Sequence, residues 1–298
     1  VGFAVAEIRK AAVAEGMSTL YIDGLRKVCQ GMTTLEELTR VAKMSERTKA
    51  KVITYGFGAA DVRADNIIFY SEAKRVEGFS FKLEFDGKSV PVRLPKIVAR
   101  HHIPAALAAV AAGLAFRMNL VDIASALEAF EPLPGRLRLL PGQSGMMLID
   151  DTYNASPVSM RAALQVLGEL SAPRKIAVLG DMLELGPETD QDHAGLADAV
   201  LASGAHLAVL VGRHMRSLHD ALLASGYARK QLLWMPDPIA ASEALLRLVR
   251  PEDLILIKGS RGMRMEEVVR ALEDAEVALM LYHLLYPLPI MLHQQNQH

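Results

Sequence analysis

Two neighbouring carboxylates, Asp150 and Asp151, end the apolar run MMLID, and the turn TYNASP that follows leads into helical periodicity near Pro157. A carboxylate at the end of a buried strand, beside a helix N-terminus, can accept the two hydroxyls of a ribose or hold a cation. The same residue can instead cap the turn by accepting its backbone N–H groups. Residue type and spacing leave both roles open. Pro157 suits an early helical position, where a missing N–H forfeits no hydrogen bond. Four further apolar runs end in the same manner: Asp181 follows KIAVLG, Gly212 follows HLAVLV, Asp237 follows QLLWMP and Lys258 follows DLILI.

Those five runs are the elements that must position this chemistry. Between them lie the helical stretches PVSMRAALQVLGEL, DQDHAGLADAVLASG, RHMRSLHDALLASG and PIAASEALLRLVR. Short apolar strands alternating with helices predict a parallel sheet covered on both faces, a Rossmann-like α/β domain over residues 135–275. Ligands of such sheets sit beyond the carboxyl ends of the strands, where the five polar or glycine positions fall.

Upstream, KVITYG, IIFY, GFSFKLEF and SVPVRLP read as strands, and Asp86-Gly87 between the last two is a hairpin signal. HIPAALAAVAAGLAF and LVDIASALEAF read as helices, the first apolar enough to be buried on most sides. EPLPGRLRLLPGQ closes one unit and opens the next. The first 43 residues predict a helical hairpin, because EIRKAAVAEGM stops at Gly16 and TTLEELTRVAK opens with a capping box of Thr34 and Glu37. The expected organisation is a hairpin over 1–43, a smaller α/β unit over 44–134, the Rossmann-like domain over 135–275 and an unordered apolar tail over 276–298.

Composition removes several function classes. The 298 residues carry 33 basic and 34 acidic side chains, a net charge of −1, so no global field recruits nucleic acid or an anionic membrane. The single cysteine, Cys29, excludes an internal disulfide framework and a Cys-rich metal site, as suits a reducing compartment, and the cytoplasm is expected. No secretory signal is expected in VGFAVAEIRK, which turns charged at Glu7. Residues 277–292 are nearly all apolar, but they fall short of the roughly 20 needed to span a bilayer and are broken by Pro287 and Pro289. Gly87-Lys88-Ser89 imitates the end of a phosphate loop, yet Lys82 stands where that motif needs glycine, so a hairpin turn is expected. Gly56-Phe57-Gly58 lacks the third glycine of a dinucleotide fingerprint and reads as a strand-ending turn.

Four motifs together carry a resemblance. Gly135-Arg136, LIDDTYNASPVSMRAAL, AVLGDMLELG followed by His193, and LIKGSRGMRMEEVV occur in the order and approximate spacing of the Mur ligase family. KVITYGFGAADVRADNI and ARHHIPAALAAVAA are similar to the closing part of that family's central ATPase domain, so the likeness runs from about residue 45 to 275. It implies a truncated central-domain remnant over 44–134 and the family's C-terminal domain over 135–275. It also implies ATP-dependent ligation of D-alanyl-D-alanine to UDP-N-acetylmuramoyl tripeptide in peptidoglycan precursor synthesis, with ATP and Mg²⁺ as cofactors. In that chemistry ATP phosphorylates a terminal carboxylate and the dipeptide's amine attacks the acyl phosphate, so catalysis is alignment plus charge stabilisation.

Carried over by motif, Arg136 matches the arginine that reaches the nucleotide phosphates, Asp151 the acid that binds the ribose, and His101 the adenine-side segment. Lys258 and His193 stand as candidate catalytic residues. Tyr153, Asn154, Asp181, Glu184, Ser260 and Arg261 fall in motifs of the substrate site, where Lys258-Gly259-Ser260-Arg261 could supply cationic and N–H donors to the dipeptide's carboxylate.

The departures bear on activity. The family's GxxGKT-type loop, Mg²⁺-binding carboxylate, modified lysine and UDP-sugar-binding domain do not precede residue 45. Residues 1–43 instead resemble the extreme C-terminus of type II secretion and type IV pilus assembly ATPases, without their nucleotide motifs. LMLYHLLYPL is similar to the opening of the membrane transferase that uses the ligase's product. The family's HNxxNALAA reads HHIPAALAA from His101, with Ala105 at the asparagine expected near the base. These features suggest a chimeric or truncated reading frame, with negligible ligation alone and self-association through severed sheet edges. The alternative is a non-catalytic module that docks on a secretion or pilus ATPase or binds a small ligand.

Overall fold

A computed structural model describes residues 52–273 apart from 73 and 74. The hairpin expected over 1–43 and the tail expected over 276–298 lie outside these residues. Two compact units divide the described chain: one comprises 52–68, 80–93 and 100–129, the other 69–79, 94–99 and 130–273. The second unit thus reaches back into segments that a linear reading assigns to the upstream domain.

A four-stranded sheet has the order β1-β2-β3-β4, from β1 (Tyr55–Gly56), β2 (Val62–Glu72), β3 (Arg75–Phe85) and β4 (Lys88–Pro95). Asp86 and Gly87 join β3 to β4 with φ of 49° and 72°. Two consecutive positive φ values make the turn whose twist suits a hairpin, and Gly87 adopts its value without a Cβ penalty. Lys88 and Ser89 accordingly begin a strand, not a phosphate loop.

Helices α1 (Ile103–Ala115) and α2 (Leu120–Glu128) follow. Burial of α1 is one-sided, contrary to the expectation from its composition: Ile103, Ala106, Leu107, Val110 and Ala111 are buried, whereas Ala105, Ala109 and Ala112 are exposed. Alanine favours the helix and loses little in water, so the positions of the larger side chains decide the buried face. Asn119 caps α2, accepting from the N–H groups of Val121 and Asp122.

The second sheet has six strands in the order β5-β6-β10-β7-β8-β9. The strands are β5 (Arg138–Pro141), β6 (Met147–Asp151), β7 (Arg174–Gly180), β8 (Leu207–Val211), β9 (Leu232–Met235) and β10 (Asp253–Lys258). β6 through β10 are mutually parallel, as the five apolar runs require, and β5 pairs antiparallel with β6. The sequence does not announce the antiparallel strand, because four residues ending in Pro141 carry too little alternation.

Six helices cover the sheet: α3 (Pro157–Glu169), α4 (Thr189–Ala194), α5 (Ala197–Ala202), α6 (Met215–Ala224), α7 (Pro238–Leu248) and α8 (Glu266–Leu272). Successive strand residues alternate between two cores. Ile149, Leu179, Leu210 and Leu256 pack with Leu164, Val200 and Leu218 of α3, α5 and α6. Leu148, Val178, Val209 and Ile257 pack with Leu245, Val269 and Leu272 of α7 and α8. Burial on both faces explains why these strands read as continuous apolar runs. Since β10 returns between β6 and β7, their carboxyl ends lie side by side, which is where such sheets present polar side chains.

Candidate functional site

Register sets the first contact. In the parallel pairing of β6 with β10, Lys258 stands opposite Asp151. The Lys258 ammonium donates to Asp151 Oδ2 at 2.6 Å and to the Asn154 carbonyl at 2.8 Å, and Lys258 is only 2% exposed. Asp151 Oδ1 accepts from the Leu137 N–H at 3.2 Å. Burial pushes the Asp151 carboxyl above the usual range, against the opposing pull of Lys258 and of the Leu137 N–H.

Asp150 is the residue that caps. Its Oδ1 accepts from the Thr152 hydroxyl at 2.7 Å and the Thr152 N–H at 3.2 Å, and its Oδ2 accepts from the Gly135 N–H at 2.8 Å. The Tyr153 N–H donates to the Gly135 carbonyl at 3.1 Å, so residues 135–137 are strapped to the end of β6 at three points with the Asp150 and Asp151 bonds. Gly135 has φ of 74°, and a Cβ there would lie 2.8 Å from the Tyr153 nitrogen, so both conformation and space demand glycine. The strap fixes Arg136, whose guanidinium carbon lies 3.8 Å from the centroid of the half-exposed Tyr153 ring.

Loops after β7 and β10 complete the constellation. The Ser260 N–H donates to the Asp181 carbonyl at 3.0 Å, and Ser260 Oγ accepts from the Leu183 N–H at 2.9 Å and donates to the Ala155 carbonyl at 3.4 Å. The two chains can meet because Gly259 and Gly180 are back to back: a Cβ on Gly259 would lie 3.1 Å from the Gly180 Cα. The Asp181 carboxylate accepts from the N–H groups of Met215 at 2.9 Å and His214 at 3.3 Å, tying β7 to the start of α6. His193 is buried; its Nε2 accepts from the Met182 N–H at 2.9 Å, so Nδ1 is the donor to the Thr189 carbonyl at 2.6 Å. Both ring nitrogens therefore hold the 181–193 loop in shape.

The sequence-derived residues thus fall into groups. Arg136, Asp151, Tyr153, Asn154 and Lys258 come together at the ends of β6 and β10. Asp181, His193 and Ser260 join them through loop hydrogen bonds. Glu184 (φ 65°) and Arg261 are exposed, and Arg261 pairs loosely with Glu266 at 3.8 Å. His101 belongs to a short 3₁₀ turn, Arg100–His102, in the other unit. Of the remaining strand-end positions, Asp237 caps α7 through the Ala240 N–H. Sequence reasoning missed Thr152 and the strap role of Asp150, and the facing of Asp151 by Lys258 needed the strand order; opposite charges ending two buried strands were the available signal.

Chemically, the ends of β6 and β10 offer an exposed cation, Arg136, beside the neutralised buried pair of Asp151 and Lys258. The Arg136 guanidinium suits phosphate oxygens, which it can grip in pairs. Asp151 keeps lone pairs for hydroxyl donors despite its two bonds. Among the described residues, no three His, Cys, Asp or Glu side chains gather to hold a metal ion, so none is assigned to Mg²⁺. No helix of the described residues is long and apolar enough to cross a membrane.

Residues 135–261 match the family described as Mur ligase, glutamate ligase domain. The UDP-N-acetylmuramoyl-tripeptide--D-alanyl-D-alanine ligase of Escherichia coli (strain K12) is 37% identical over 199 residues, covering 66% of this chain and 42% of that protein. The same-named protein of Bacillus subtilis (strain 168) is 34% identical over 191 residues, 61% of this chain and 40% of its own. A crystal structure of MurF from Acinetobacter baumannii superposes with a TM-score of 0.65 at 31% identity, covering 79% of this chain and 49% of that one. MurF from Thermotoga maritima, solved in complex with ADP, shares the fold at 20% identity and a TM-score of 0.59. The chain therefore spans about half, or less, of the length of these relatives.

Proposed function

Residues 135–261 belong to the Mur ligase family, and on that premise we propose that this chain supplies the C-terminal side of an ATP-dependent amide ligation site. The substrates are those named for its relatives, UDP-N-acetylmuramoyl tripeptide and D-alanyl-D-alanine. In the reaction the tripeptide's terminal carboxylate takes the γ-phosphoryl group of ATP, releasing ADP. The dipeptide's amine then attacks the acyl carbon and phosphate leaves, so one C–N bond replaces the acyl C–O bond. Nucleotide and UDP-linked substrates assign this chemistry to the cytoplasm.

The observation that carries the reading is the convergence of Arg136, Asp151 and Lys258 at the adjoining ends of β6 and β10, with the β7 loop bonded to them. Arg136 meets nucleotide phosphates, where preorganised positive charge is worth most. Asp151, steadied by Lys258, accepts ribose hydroxyls. Asn154, Ser260 and Arg261 border the dipeptide's carboxylate, while Asp181 and His193 shape the loop that faces it. Glu184 lies on that loop's exposed side. ATP, when bound, supplies the phosphoryl group; these residues bind and orient. Mg²⁺, when bound, would screen phosphate charge.

Isothermal titration of ADP and of D-alanyl-D-alanine into the 298-residue chain tests the proposal. Weak ADP affinity that falls about tenfold or more in Arg136→Ala is expected, since charge-assisted phosphate bonds are the strong ones. Equal ADP affinity in the two proteins would sink it. The same 298 residues, which contain no GxxGKT-type loop, are expected to form no detectable pentapeptide from ATP, tripeptide and dipeptide, because a loop of that type is what grips the β- and γ-phosphates. Product in that assay would refute this part.

A further inference from the structure

Tyr153 has no part in the ligation chemistry outlined above, yet its ring is the surface on which Arg136 rests. The guanidinium carbon is 3.8 Å from the ring centroid, while Tyr153 as a residue remains 46% exposed. The backbones beneath the two side chains are bonded to each other: Tyr153 N–H donates to Gly135 O at 3.1 Å, and the flanking N–H groups of Gly135 and Leu137 end on Asp150 and Asp151. The pair is therefore built on a rigid strap instead of being a chance meeting of two long side chains.

A guanidinium has two working aspects. Its face is attracted to an aromatic ring by the ring's quadrupole. Its edge carries five N–H donors in the plane, which grip carboxylate or phosphate oxygens in pairs. Stacking occupies the face and leaves the edge open, so the two uses are compatible. An arginine lying flat on a ring has also surrendered much of its rotamer freedom before a ligand arrives, which removes part of the ordering cost of binding.

We propose that Tyr153 is a positioning residue for Arg136: its ring holds the guanidinium flat so that the N–H edge is presented to a polyphosphate. This rests on the reading of Arg136 as a phosphate-gripping group. The working part is the ring, not the phenol hydroxyl.

The test uses the full 298-residue chain, with ADP and inorganic tripolyphosphate as titrants. Tyr153→Leu is expected to weaken both about two- to fivefold, the worth of an exposed cation–π contact. Tyr153→Phe, which keeps the ring, is expected to restore the affinity that Tyr153→Leu loses. Arg136→Ala/Tyr153→Leu is expected to bind no more weakly than Arg136→Ala alone. The proposal is overturned if Tyr153→Phe binds as poorly as Tyr153→Leu, or if the leucine variant's loss persists once Arg136 is gone. A ligand-independent readout is the NMR shift of the Arg136 side-chain protons. Ring-current displacement is expected in the parent chain and in Tyr153→Phe, and its absence from the parent overturns the proposal whatever the affinities are. The two readings fail separately: Arg136→Ala without effect removes the phosphate reading and this proposal with it, whereas loss in Arg136→Ala but none in Tyr153→Leu removes this proposal alone.

Discussion

Removing either partner of the Asp151–Lys258 pair leaves the other as a buried, unpaired charge, a change that costs about 3–5 kcal/mol. Asp151→Asn and Lys258→Met are each expected to lower unfolding stability in urea by that order. Neighbouring groups that share one bond do not behave additively, so the double variant should lose less than the sum of the two, by about 0.5–3 kcal/mol. Additive losses would mean that the 2.6 Å contact carries no coupling. This pair also marks the limit of what the sequence discloses at residue scale. That Asp150 or Asp151 would serve a turn is legible from its place at a strand end. Which of the two does so is not, because adjacent strand residues point to opposite sides and the facing residue depends on which strand arrives alongside. β10, more than a hundred positions later, supplies Lys258 to Asp151, while the Gly135 N–H falls to Asp150.

Elements show the same division between local and distant information. Helix α3 starts where local chemistry says it should. Pro157 occupies the first turn, and Ser156 and Ser159 form a reciprocal cap, with Ser156 Oγ accepting from the Ser159 N–H and the Ser156 N–H donating to Ser159 Oγ. Ser156→Ala removes half of that box and is expected to cost about 1 kcal/mol. The loss should appear as a lower urea midpoint with an unchanged slope; a shifted slope would mean that the turn over Lys258 had loosened as well. The five parallel strands were legible because burial on both faces removes polar alternation, and the helices between them because one face of each stays in water. What composition misjudged is equally physical. A helix of alanines looks buried, yet α1 hides one face, and β5 hides its strand identity in four residues. The loop bonds of Ser260 to residues 155 and 183 depend on three strands ending together, which no window of sequence contains.

At the scale of the whole molecule, three carboxyls raised by burial lead us to expect a response to pH. Burial raises the carboxyls of Asp151, Asp253 and Glu273 above their ordinary values, although Lys258, Arg174 and Arg138 respectively pull against it. An acid raised in the folded state keeps a proton that the unfolded chain has already released, so unfolding sheds protons and stability falls as pH rises. The contribution is full below the ordinary carboxylate value of about 4 and is lost as pH climbs through the raised folded value. Glu84 and Asp198 are shifted the other way, by Lys82 and by Arg161 respectively, but Asp198 is exposed and Glu84 pairs with the half-exposed Lys82 and Arg63, so solvent screens both pairs. The buried group therefore dominates, and unfolding free energy is expected to decline across the interval just above pH 4. Asp253, only 1% exposed and held by the Arg250 N–H at 2.7 Å, gives the means of checking this without touching the candidate site. Asp253→Asn removes one proton from the balance, so its stability should fall less steeply with pH than the parent's when urea unfolding is followed through that interval. A parent slope of opposite sign, or an equal slope in the variant, would show that these carboxyls are not the groups that govern it.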